Sequence, residues 1–141
     1  MIVGCADDSE PFVQSVDQIM GTVVVVTAPL NSNAPELVFD IFHDVDATMS
    51  EWKPNSPLTM VNNAAGKHPV KVPEDLFKTV KRSLEIADLT SGAFDPTWAA
   101  LWGLWDFRRK NNKQIPTKAQ LQSHLPLVNW EKVQLDREQQ T

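Results

Sequence analysis

The residues best suited to chemistry lie in Ser91–Phe107, which reads SGAFDPTWAALWGLWDF. A carboxylate, Asp95, stands directly before Pro96, and Gly92 and Ala93 leave the backbone ahead of it almost bare. An Asp side chain accepts hydrogen bonds from the unpaired N–H groups of a first helical turn, and proline presets φ for the first helical position. A helix start beside bare backbone has two readings. It is the capped beginning of a core helix, or a turn whose N–H groups hold a flat or anionic ligand. Trp98, Trp102 and Trp105, three of the five tryptophans, follow with Leu101 on one helical face and read as core packing. Phe94 reads as buried by default, Met20 as a core methionine and Trp52 as the end of an apolar stripe. His43 lies among carboxylates and reads as a solvated surface residue.

These residues need elements to position them. Phe12 to Thr27 reads as extended structure, with Val23–Val26 as a β-branched run typical of a strand covered on both faces. Met20-Gly21 interrupts it, and a glycine inside a strand pattern marks a bulge or a close backbone approach. Asn33 and Glu36 have capping-box spacing ahead of a long helix. In that helix Leu37, Val38, Ile41, Phe42, Val45, Met49 and Trp52 form an apolar stripe, with Asp40, Asp44, Asp46 and Glu51 opposite. Lys53–Pro57 ends it. Leu58–Asn62 reads as one short helical turn, and Val70 and Val72 as a short edge strand. Pro73-Glu74-Asp75 opens a second long helix with buried Leu76, Phe77, Val80, Leu84 and Ala87, closed by Ser91-Gly92. A third helix runs from Pro96 to about Trp105. Thr117 and Gln120 form a capping box for a short fourth helix, and Trp130–Leu135 reads as a final strand. The fold class is therefore α+β, a mixed α/β arrangement with few strands packed by about four helices. So few strands make a poor sheet for these amphipathic helices, which points to an incomplete domain.

Composition removes several functions. The chain has 141 residues, 42% of them hydrophobic and 22% charged, as in an average globular domain. A net charge of -5 and the lack of any basic cluster beyond Arg108, Arg109, Lys110 and Lys113 exclude a nucleic-acid footprint. No apolar run approaches the roughly 18 residues of a membrane span. Cys5 is the one cysteine, so no disulfide forms within the chain. Ile2-Val3-Gly4-Cys5 has the form of the end of a bacterial lipoprotein signal, without the charged and apolar regions that precede such an end. Lipidation and a simple free thiol both stand as readings of Cys5. Residues 1–11 then serve as a tether, and residues 12–141 as the domain.

Met20-Gly21-Thr22, Met49–Ser56 (MSEWKPNS) at the end of a helix, and Thr90–Trp105 form an ordered set. Together they resemble the N-terminal part of the ApbE family, FAD:protein FMN transferases once called thiamine-biosynthesis lipoproteins. Gly92–Thr97 carries the most specific part of the resemblance. Leu101–Trp105 resembles the family's next stretch, and Asn129–Leu135 the segment leading into its second half. The resemblance covers about Asp17 to Asp136, and the lipoprotein-like Cys5 fits it.

The resemblance implies a magnesium-dependent reaction. The FAD pyrophosphate is cleaved, AMP leaves, and FMN becomes esterified to a threonine of a target flavoprotein. It implies that Met20 touches the flavin and that Ala93, Phe94 and Asp95 line the FAD site. Trp52 stands where the family often has a tyrosine beside the cofactor, keeping a stacking face and losing a hydroxyl. It also implies a location on the periplasmic side of the inner membrane, with membrane contact only through a lipid on Cys5. The family's Asp-Leu-Gly-Gly segment and the later Asp and Thr that serve the metal fall beyond Thr141. The Mg2+ ligands are thus expected outside this chain, and the chain alone is expected to be inactive, because phosphoryl transfer depends on positioning and charge neutralisation. The competing readings are a vestigial FAD-binding lipoprotein module without catalysis and an α/β interaction domain without a ligand.

Overall fold

The computed structural model describes residues 11–105 and 115–141. Cys5 with its tether, and the Arg108, Arg109, Lys110 and Lys113 group, lie outside the described residues. Among the described residues the order is β1 (Phe12–Ile19), β2 (Thr22–Pro29), α1 (Ala34–Met49), α2 (Pro57–Ala64), α3 (Glu74–Leu89) and α4 (Lys118–His124). Short 3₁₀ turns lie at Trp98–Leu101, Leu125–Leu127 and Trp130–Lys132. The mixed α+β class holds. The chain divides into two compact units, with the boundary between Thr59 and Met60.

In the first unit β1 and β2 pair antiparallel, with Ile19 opposite Thr22 and Val16 opposite Val25. The two residues left between the strands form a tight turn, not a bulge. Met20 and Gly21 both have positive φ, 54° and 72°, as a two-residue type I′ hairpin requires. That turn matches the right-handed twist of the strands. For Met20 it carries the cost of a left-handed residue with a Cβ, about 1–2 kcal/mol. The β2 valines are not covered on both faces: Val23 and Val25 are exposed, as are Phe12 and Val16 on the neighbouring strand.

Helix α1 packs on both strands. Its N-terminus is not closed by a capping box, because the Asn33 side chain makes no cap bond. The neighbouring Ser32 Oγ accepts from Ala34 N–H instead, at 3.1 Å. The apolar stripe is also rotated from the sequence reading. Leu37 and Ile41 are exposed, while Asp46 is partly covered and pairs with Lys53 Nζ at 2.7 Å.

In the second unit Leu76, Phe77 and Ala87 of α3 are buried, with Val80 and Leu84 half-buried, as expected. The helix ends in a Schellman arrangement. Gly92 N–H donates to Ala87 O at 2.8 Å and Ser91 N–H to Asp88 O at 2.9 Å. The α4 capping box is present, with Gln120 N–H on Thr117 Oγ1 and Thr117 N–H on Gln120 Oε1. Three expected elements are absent. Pro96–Trp105 is not a helix: only one 3₁₀ turn forms, Trp102 turns extended at ψ 138°, and Gly103 comes next at φ 81°. Trp130–Leu135 is a 3₁₀ turn and coil instead of a strand. Val70–Val72 is likewise not a strand, although Val72 N–H donates to Gln140 O at 2.9 Å.

Candidate functional site

In the first unit the hairpin tip and the end of α1 enclose an open cleft of about 570 Å³, lined by Gln18, Met20, Gly21, Asp46, Ser50, Trp52 and Lys53. Met20 and Trp52, 32 positions apart in sequence, therefore face one space. Met20 is 46% exposed and Trp52 is 65% exposed, so a thioether and an indole are both available to a planar ligand. A Cβ built on Gly21 meets nothing within 4 Å, which leaves the turn tip open.

The loop bearing Trp52 is held by a small polar network that the sequence reading missed. Ser56 is 2% exposed; its hydroxyl donates to the Ser50 carbonyl and accepts from Thr59 N–H at 3.1 Å. The Thr59 hydroxyl lies 3.0 Å from Ser56 Oγ and donates to Ser50 O at 3.3 Å. Trp52 N–H donates to Ser50 Oγ at 3.3 Å. The two prolines around Asn55-Ser56 stop α1, and these bonds turn the resulting loop into a fixed platform. The Lys53–Asp46 pair forms a charged part of the cleft wall. Nearby, His43 is exposed as expected, yet it has a partner. Its Nε2 lies 2.8 Å from Asp17 Oδ2, and this bond, ahead of one from Gln18 N–H, holds the Asp17 carboxyl below its ordinary range.

Ala93, Phe94 and Asp95 belong to the second unit. Ala93 and Phe94 are exposed, Phe94 by 43%, which corrects the expectation of a buried phenylalanine. Asp95 caps no helix beginning at Pro96. Its Oδ1 accepts from Thr97 N–H at 2.8 Å and from the Thr97 hydroxyl at 2.6 Å. Its Oδ2 accepts from Trp130 N–H at 3.1 Å. Burial pushes this carboxyl up, but the three bonds outweigh it and the net shift is downward. Asp95 is thus ionised at neutral pH, the form able to accept all three. The bare face of Gly92 is already occupied: a Cβ there would lie 3.5 Å from Trp130 Nε1, so the flat group beside it is the chain's own indole. Trp98, Trp102 and Trp105 are not core residues but are 50%, 42% and 37% exposed, with the Trp98 and Trp102 rings 5.2 Å apart.

Among the described residues no three His, Cys, Asp or Glu side chains come together to hold a metal ion.

The sequence profile of the ApbE family matches residues 20–141. The FAD:protein FMN transferase of Chlamydia muridarum is 24% identical over 145 residues, which span 100% of this chain and 46% of that protein. Its counterpart in Haemophilus influenzae is 32% identical over 98 residues, 68% of this chain and 28% of that protein. Among solved structures, the ApbE protein of Thermotoga maritima matches with a TM-score of 0.79 at 23% identity, over 92% of this chain and 43% of that one. The flavin transferase ApbE of Vibrio cholerae matches at 0.75 and 23% identity, over 91% and 44%. The structural likeness establishes the fold. The chain spans less than half the length of these relatives.

Proposed function

Because the chain belongs to the ApbE family, we propose that it forms the flavin-holding part of an FAD:protein FMN transferase. The observation that carries this reading is the cleft at the hairpin tip, where Met20 and Trp52 line one space. Trp52 offers a stacking face to the isoalloxazine ring and Met20 a polarizable contact beside it. Ala93, Phe94 and Asp95, in the second unit, are proposed as FAD-site residues on the family resemblance alone.

The reaction exchanges one phosphorus–oxygen bond for another. A threonine oxygen of a target flavoprotein bonds to the FMN phosphorus, the pyrophosphate P–O bond breaks, and AMP departs. Such a transfer depends on positioning and on neutralisation of charge. The described residues contribute positioning: they hold the flavin. The chain spans 46% of the Chlamydia muridarum relative, and we assign its share to binding FAD, with transfer requiring further groups.

Titration of the chain with FAD, followed by flavin fluorescence, tests the reading. Trp52→Ala is expected to weaken binding about tenfold, the size of one lost stacking contact, and Met20→Ala by less. With magnesium and a threonine-bearing target protein present, AMP release is expected to stay at background. Equal FAD affinity in wild type and both variants would remove the cleft from the site, and AMP release by this chain would overturn the division between binding and transfer.

A further inference from the structure

The loop that carries Ala93 and Phe94 is tied by hydrogen bonds to a segment more than thirty residues away in sequence. Asn129 N–H donates to Thr97 Oγ1 at 2.8 Å, and the Thr97 hydroxyl donates its own hydrogen to Asp95 Oδ1 at 2.6 Å. Trp130 N–H donates to Asp95 Oδ2 at 3.1 Å. Trp130 starts the 3₁₀ turn Trp130–Lys132, and the next amide, Glu131 N–H, is taken by Asn129 Oδ1 at 2.9 Å. Asp95 and Asn129 therefore satisfy the amides at the start of that turn, which an isolated turn would leave unpaired. The Trp130 indole completes the contact by lying against Gly92, where a Cβ would stand in ordinary contact with it, 3.5 Å from Nε1.

We infer that Asp95, Thr97 and Trp130 form a latch that fixes the Gly92–Thr97 loop, with Asp95 and Thr97 acting as positioning residues. Both Asp95 oxygens are engaged by protein donors, while Ala93 and Phe94 stay exposed. An ionised carboxylate is also a poor direct partner for the anionic pyrophosphate of FAD, since like charges at short range repel. The loop accordingly meets a ligand through the backbone and side chains of Ala93 and Phe94, and Asp95 works from behind. The consequence for FAD rests on the proposed transferase function; the latch itself does not.

Hydrogen exchange of backbone amides in the ligand-free chain, read by NMR, separates the two. Thr97→Val removes the hydroxyl and is expected to speed exchange at Asn129 at least tenfold, whereas Thr97→Ser, which keeps a hydroxyl, holds it near wild type. Should Thr97→Val unfold the chain, Asp95→Asn supplies the same readout at Trp130 or Thr97, because one of its two terminal atoms can no longer accept. FAD titration of the same proteins is expected to show several-fold weaker binding for Thr97→Val and rescue by Thr97→Ser. Unchanged exchange at Asn129 and Trp130 in these variants overturns the latch. Faster exchange with unaltered FAD affinity overturns the positioning role. A wild-type chain that binds no FAD defeats the proposed function and the positioning role with it, while the exchange data still decide the latch.

Discussion

Met20 lines the cleft from a turn position that suits a methionine poorly. The first position of a type I′ hairpin turn favours Asn, Asp or Gly, because those side chains tolerate positive φ. Methionine at φ 54° gains nothing from the turn and bears its strain. Strain of this kind is found where a side chain is kept for contact with a ligand. Met20→Asn converts the turn to Asn-Gly and is expected to stabilise the chain by about 1 kcal/mol, read as a rise in Tm of about 2–4 °C. The same substitution removes the thioether from the cleft and is expected to weaken FAD binding. A variant that is no more stable than wild type would show that the turn does not strain the methionine.

At the scale of elements, local chemistry was readable wherever its partners were near in sequence. The Thr117–Gln120 capping box, the Ser91-Gly92 helix end and the stripe of α3 all depend on neighbours within a few residues, and all form. Asp95-Pro96 carries the same signals, yet its carboxylate goes to Trp130, 35 positions away, and the helix expected behind it shrinks to one turn. The local partner Thr97 keeps one carboxylate oxygen, a tertiary partner takes the other, and nothing near Asp95 announces that second partner. The same holds at the cleft. Met20 and Trp52 stood out through the family resemblance, whereas the Ser50, Ser56 and Thr59 network that fixes the Trp52 loop has no local signature. Ser56→Ala leaves Thr59 N–H without its buried partner and the Ser50 carbonyl with only the longer bond from the Thr59 hydroxyl, a loss of about 1–3 kcal/mol. Thermal melts of Ser56→Ala should show that loss together with weaker FAD binding at an intact Trp52. A melt like that of wild type would mean that the platform does not depend on this hydroxyl.

For the whole molecule, the decisive feature is how little sheet the described residues contain. Two strands form one antiparallel ribbon, which is marginal in water without a covered face. Helix α1 packs on this ribbon, and the residues Val13, Ser15, Asp17 and Ile19 are the more covered set on β1. The alternate set is open and mixed: Val16 is 62% exposed and its cross-strand partner Val25 is 51% exposed, with Phe12 and Val23 on the same face beside Gln14, Gln18 and Thr27. Solved relatives of this fold extend over more than twice as much chain, since the match covers 43% of the Thermotoga maritima protein. Exposed apolar surface, here Val16, Val23 and Val25, drives association when nothing else covers it. The 141-residue chain is therefore expected to bind a hydrophobic dye and, in sedimentation experiments, to rise above its 15.8 kDa monomer mass as concentration increases. Replacing the facing pair by Val16→Lys and Val25→Glu puts opposite charges across the strands, an arrangement compatible with the ladder. The double variant should stay monomeric and lose dye binding while keeping the hairpin. If the wild-type chain is monomeric at every concentration and binds no dye, this face is not sticky, and its valines serve only the strand.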